Sequence, residues 1–253
     1  MDCLQDWPEP VVPVQSLSES GAPAIPDRYI KPPSDRPSLD SATDENILGI
    51  PVIDLGGLSE GALECRATMK AISDACREWG FFQVVNHGIS HEVMEKIQEV
   101  WRGFFHLPME AKKAYANSPT TYEGYGSRVG VQKDAILDWG DYYFLQYLPS
   151  SVKNHNKWPG LPTPIRLMEL HQVLSNAMYK SVEHRVVVNA AEERLSLAFF
   201  CNPKSDLPLG PAPELVTPNR PPLYQPMTYN EYRLYIRKNG PGGKTQVESL
   251  KAT

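Results

Sequence analysis

A mixed α+β fold is predicted, with an α/β front half and a small β remnant towards the end. Three observations predict it. Between residues 50 and 116, short β-branched or aromatic runs alternate with apolar stripes at helical spacing. A further helical stripe follows Pro164. Behind it come two runs of strand character, 182–188 and 194–200.

The elements follow in order. The 24 prolines cluster, with eight in the first forty residues and eight between Pro203 and Pro226. Because proline fixes its own φ and restricts the residue before it, these stretches read as extended chain laid over a core. Ile50 to Leu55 is a short strand, ended by Gly56 and Gly57. Met69, Ile72, Cys76 and Trp79 are spaced 3, 4 and 3, the stripe of a surface helix. Gly80 is placed to stop that helix, and Phe81 to Val85 resumes as a strand. Ser90 is an N-cap for a second helix carrying Val93, Ile97, Trp101 and Phe104, and Pro108 breaks it. A short helix then runs from Met109 to Ala116. Residues 117–130 are turn-rich, and Asp141 to Leu148 is an aromatic strand. Pro164 suits the first turn of a helix continuing through Leu167, Leu170, Leu174 and Met178. Val182, His184, Val186 and Val188 alternate strictly, and Arg194 to Phe200 is strand-like throughout. Neither an internal repeat nor a low-complexity tract interrupts this order.

Composition narrows the function classes. At 253 residues the chain sits nearer one large domain than two small ones. A formal charge of -5 argues against a protein built to grip nucleic acid or an anionic membrane. The 41% apolar and 9% aromatic content can supply a core, and the mean hydropathy is −0.39. The start has no basic or apolar leader region, and Cys3, Cys65, Cys76 and Cys201 are far apart with no CxxC spacing. The expectation is a soluble cytoplasmic protein, with a nuclear location also open.

The candidate chemistry lies in the second half. His184 shares a strand face with Val182 and Val186, which suits either a buried, hydrogen-bonded histidine or a ligand. Arg194 and Ser196 share one face of their run. A guanidinium fork with a neighbouring hydroxyl makes a carboxylate clamp, and an edge strand with one solvated face is the alternative. Arg233 and Arg237 stand four apart, on one helix face, either as an anion grip or as a solvated surface. Phe200, Tyr142 and Phe144 suit a pocket wall or ordinary core packing.

Taken together these motifs resemble the plant 2-oxoglutarate and Fe(II)-dependent dioxygenases. Ser181-Val-Glu-His-Arg185 followed by Arg194-Leu-Ser196 resembles their C-terminal signature. The resemblance extends to Ile25-Pro-Asp-Arg-Tyr29, Ile50-Pro-Val-Ile-Asp54, Trp79 to Gly88 and Tyr224 to Arg233. Glu123 to Ser127, Leu137-Asp-Trp139 and Tyr232 to Arg237 look most like the jasmonate-induced oxygenases, which hydroxylate jasmonic acid. By that resemblance His184 is the distal iron ligand, and Arg194 and Ser196 hold 2-oxoglutarate. Arg233 and Arg237, with Phe200, contact a small acid substrate. The implied cofactors are Fe(II) and 2-oxoglutarate, with ascorbate in intact relatives. The implied layout is a Pro-rich extension (1–49), a dioxygenase N-terminal domain (50–160) and a truncated Fe(II)/2-oxoglutarate domain (161–253).

The same resemblance exposes a gap. The family's facial triad takes its first His and its carboxylate from a His-x-Asp pair. The six histidines are followed by Gly-Ile, Glu-Val, Leu-Pro, Asn-Lys, Gln-Val and Arg-Val, and none fits. A segment like Arg166–Leu170, which in relatives precedes the barrel, is fused through His171 to one like Gln172–Ala177, which lies late in it. Roughly a hundred residues of the family pattern are missing there, as in an exon-skipped isoform, a damaged gene copy or a mispredicted gene model. The expected fold is therefore a helical/β N-terminal domain plus an incomplete double-stranded β-helix (jelly-roll, cupin-like) core lacking its early strands. Such a remnant exposes unpaired edges and is open to self-association. The readings left open are an oxygenase of jasmonate-like acids that is inactive as it stands, a non-catalytic binding protein, and a relative acting on flavonoids.

Overall fold

The computed structural model describes residues 6–21, 23–36, 49–147, 151, 153–159, 171–182, 184, 186–240 and 245–251. Helix α1 (Val14–Glu19) lies in the N-terminal strap, and strand β1 (Val52–Asp54) opens the front half. Helix α2 (Ala62–Glu78) then leads to strand β2 (Gln83–Val85). β1 and β2 pair in parallel, Ile53 opposite Val84, so α2 is the crossover of a small βαβ unit. At its end the amides of Trp79 and Gly80 both donate to the Ala75 carbonyl, and Gly80 turns the chain at φ +79°. A side chain there would collide with the Lys180 carbonyl, 2.7 Å from the site of its Cβ. The expected stripe of α2 is only partly covered: Cys76 is buried, whereas Met69 is exposed.

Helix α3 (His91–Phe105) begins as its sequence dictates, the Ser90 hydroxyl accepting from the Val93 amide. Ile97, Trp101 and Phe104 bury the predicted face against Tyr125, with Tyr115, Tyr143 and Leu195 packed around them. Phe104 meets Tyr143 edge-on at 4.9 Å. Helix α4 (Met109–Lys113) follows Pro108. The stretch 117–130, read as turns, also contains strand β3 (Gly124–Gly126), which pairs antiparallel with β4 (Tyr142–Phe144).

The N-terminal strap is fastened to this lobe. Val14 and Tyr29 bury against Leu137. The Asp141 carboxylate accepts from the Val14 and Gln15 amides at 2.8 and 3.1 Å, capping α1 from a distance of well over a hundred residues of chain. The same carboxylate accepts from the Ser127 and Tyr125 hydroxyls at 2.5 and 3.1 Å. Glu9 pairs with Arg28 at 2.7 Å and with the buried Arg128 at 2.8 Å. Those two guanidinium groups hold the Glu9 carboxyl down to about 2.

A second lobe closes the chain. It contains α5 (His171–Leu174), strand β5 (Pro208–Leu209) paired antiparallel with β6 (Met227–Thr228), α6 (Tyr229–Asn239) and α7 (Thr245–Glu248). Its core is Val173, Leu209, Tyr224, Tyr232, Val247 and Leu250. α6 carries a complete capping box between Thr228 and Glu231. Most of the helix expected from Pro164 lies outside the described residues, and its visible end is α5.

The fold is mixed α+β, with three separate two-stranded ladders and no closed barrel among the described residues. One expectation fails: the described residues of 182–188 and 194–200 form no strand. Alternating side chains suit a pleated surface, but a strand exists only with a neighbour to bond, and none of the described residues supplies one.

Candidate active site

Helix α6 brings Arg233 and Arg237 to one face, as their spacing requires, and both are half-buried. Arg237 donates to the Thr120 carbonyl at 2.8 Å and the Thr121 carbonyl at 3.3 Å, and its guanidinium lies 5.0 Å from the Tyr122 ring. Arg233 lies over the Tyr229 ring at 5.8 Å. Arg237 thus docks the helix on the loop before β3, with two of its donors engaged by the fold itself.

His184, Arg194, Ser196 and Phe200 all fall in the irregular stretch between Tyr179 and Lys204. The inward orientation expected for His184 does not hold: the residue is exposed, its Nδ1 3.3 Å from the Val182 carbonyl. Without a second strand to cover it, the alternating face has nothing to turn towards. Arg194 and Ser196 are both exposed, with Leu195 between them leaning on the aromatic core of the first lobe. Phe200 is 37% exposed. Two clefts among the described residues stand out. One of about 350 Å³ lies between Gly130, Asp134 and Gly240, and one of about 460 Å³ between Pro211, Val216 and Pro222. None of the six candidate residues lines either.

An ion pair missed in the sequence fixes the start of this stretch. Glu193 accepts from Arg102 at 2.9 Å and lies 3.1 Å from His106 Nε2. The hydrogen bond from His106, then that from Arg102, holds the Glu193 carboxyl below its usual range. Arg102 and His106 are four apart at the end of α3, which was the one available signal. The carboxylates of Asp141 and Glu9 were also missed, because the contacts that fasten the strap to the lobe, Asp141 to the Val14 and Gln15 amides and Glu9 to Arg128, span over a hundred residues of sequence.

The fit to iron can be tested on these residues. A facial triad needs two histidines and a carboxylate converging on one point. Among the described residues no three His, Cys, Asp or Glu side chains gather in that way. His184 is exposed and joins no such group, so the described residues do not fit an Fe(II) centre.

Comparison with known proteins places the chain. The model for the non-haem dioxygenase N-terminal region (named for morphine synthesis) matches residues 50–161, and that for the 2OG-Fe(II) oxygenase superfamily matches residues 148–203. Jasmonate-induced oxygenase 1 of Arabidopsis thaliana is 41% identical, covering 97% of this chain and 87% of its own. Jasmonate-induced oxygenase 2 of the same plant is 42% identical, at 97% and 94% coverage. This chain belongs to the plant 2OG/Fe(II)-dependent dioxygenase family. The alignment to jasmonate-induced oxygenase 1 runs over 352 residues against a chain of 253, so roughly a hundred of its positions face no residue here. A crystal structure of JOX2 in complex with 2OG, Fe and JA superposes with a TM-score of 0.84 at 39% identity, covering 98% of this chain and all of that one. This family member thus keeps the path of an intact relative while lacking a large internal part of it.

Proposed function

We propose that this chain descends from the oxygenases of jasmonate-like acids and is catalytically silent, any remaining role being the binding of a small acid or a protein partner. The observation that carries the reading is the iron site: no histidine is followed by x-Asp or x-Glu, and among the described residues His184 belongs to no group of ligating side chains. A single exposed imidazole holds Fe(II) weakly, and without the metal nothing orients 2-oxoglutarate on Arg194 and Ser196. The identity to the jasmonate-induced oxygenases supports the substrate class, with Arg233 and Arg237 as the carboxylate-binding pair and Phe200 as an apolar contact. Among the described residues no helix is long and apolar enough to cross a membrane. A cytoplasmic site of action, with the nucleus open to it, is part of the same proposal.

The test is an anaerobic Fe(II) titration with 2-oxoglutarate, following the metal-to-ligand charge-transfer band, with succinate release measured in air with jasmonic acid. No band and no succinate above background are expected from folded protein. A stoichiometric band abolished by His184→Ala would overturn the proposal.

A further inference from the structure

We propose that residues 194–200 form the edge through which two copies of this chain pair, antiparallel and about a two-fold axis at Leu197. The idea rests on the reading that the barrel is incomplete, and it names the partner that the exposed edge fits.

The stretch has the apolar and aromatic sequence of a strand but no neighbour to bond. From Glu192 to Lys204 the chain runs without helix, turn or bend. It is tethered at its start by Glu193 on Arg102 and His106, and Leu195 is seated on the aromatic core. Among the described residues, no backbone–backbone hydrogen bond joins 194–200 to any other segment. Val186, Val187, Leu197 and Phe200 are left 61%, 75%, 42% and 37% exposed nearby. Unpaired amides and carbonyls on an anchored apolar run template the addition of another strand.

Charge and register select a second copy in one orientation. In parallel register Arg194 would face Arg194 and Glu193 would face Glu193, which is repulsive. Antiparallel pairing about Leu197 sets Arg194 against Phe200, Leu195 against Phe199 and Glu193 against Cys201, so no like charges meet. The edge is also bounded. Pro203 has no amide to give, and the Asn189 side chain already accepts from the amides of Ala191 and Glu192 at 2.8 and 3.2 Å. An isologous contact of this kind closes on itself, so one partner occupies that edge of each strand.

Sedimentation equilibrium of the full chain tests this. A monomer–dimer equilibrium is expected, with a dissociation constant in the micromolar range for so small an interface. Leu197→Pro and Ala198→Pro, both at exposed positions, should raise that constant about tenfold for whichever amide enters the ladder, with near-ultraviolet circular dichroism unchanged. In a Cys201→Ser background, Leu197→Cys should form a cross-linked dimer under mild oxidation, since opposed antiparallel Cα atoms lie about 4.5–5.5 Å apart. Arg194→Cys in the same background should not. Monomer throughout, open-ended oligomers, or a dimer indifferent to both prolines would each overturn the proposal. None of these readouts involves iron, so the dimer and the loss of turnover can fail independently.

Discussion

Replacing Asp141 by alanine should detach the N-terminal strap at a large cost in stability. The carboxylate sits where four donors meet: the Val14 and Gln15 amides, the Tyr125 hydroxyl and the Ser127 hydroxyl. Hydrogen bonds to a charged acceptor contribute about 1.5–3 kcal/mol each, but the four share one group, and water reaches part of the site in the variant. The two amides belong to the first turn of α1, whose own N-cap, Pro13, offers no side-chain acceptor. The site is half-buried and its four donors are neutral, so the expected loss is about 2–3 kcal/mol. Asp141→Asn keeps one acceptor oxygen and turns an amino group towards donors, so it should fall between wild type and alanine. Urea unfolding read by tryptophan fluorescence gives the free energy, and limited proteolysis before residue 36 reports release of the strap. A loss below about 1 kcal/mol with an unchanged denaturant slope would refute the reasoning, since water would then be replacing the carboxylate at no cost.

Acid should loosen the same strap by a second route. Glu9 is held at about 2 in the folded chain against an ordinary 4.5, so the stability it confers is complete above about 4.5 and is lost as pH falls towards 2. Trp7, edge-on to Tyr122 at 5.3 Å, supplies the fluorescence readout, and Glu9→Gln should abolish the acid step. Phe104→Ala, at the centre of the aromatic core and 4% exposed, should cost about 3–5 kcal/mol in the same urea assay. Thr228→Ala removes one half of the capping box of α6 and should cost about 1 kcal/mol, visible as faster amide hydrogen exchange in the C-terminal lobe.

Local signals were legible wherever the deciding contact is near in sequence. Ser90, Gly80 and Pro108 punctuate the front half as expected, because caps and breaks are decided within one turn of chain. The face of α3 was legible from its period alone. Strand character at 182–188 and 194–200 was legible too, but strand existence was not, since it depends on residues that this chain lacks. The six candidate residues were found from their pattern, and that pattern carries no record of whether a surrounding pocket persists. Asp141 and Glu9 show the converse limit: nothing beside either residue announces the amides and guanidinium groups that meet it.

The β3–β4 and β5–β6 ladders lie in different clusters of side chains, and no sheet among the described residues runs through both. Heat and denaturant therefore meet several weakly linked cooperative units in place of one. Amide hydrogen exchange should separate the C-terminal lobe, closed by Tyr224 and Tyr232, from the aromatic lobe around Phe104, each with its own opening free energy. A single melting temperature would then describe neither lobe.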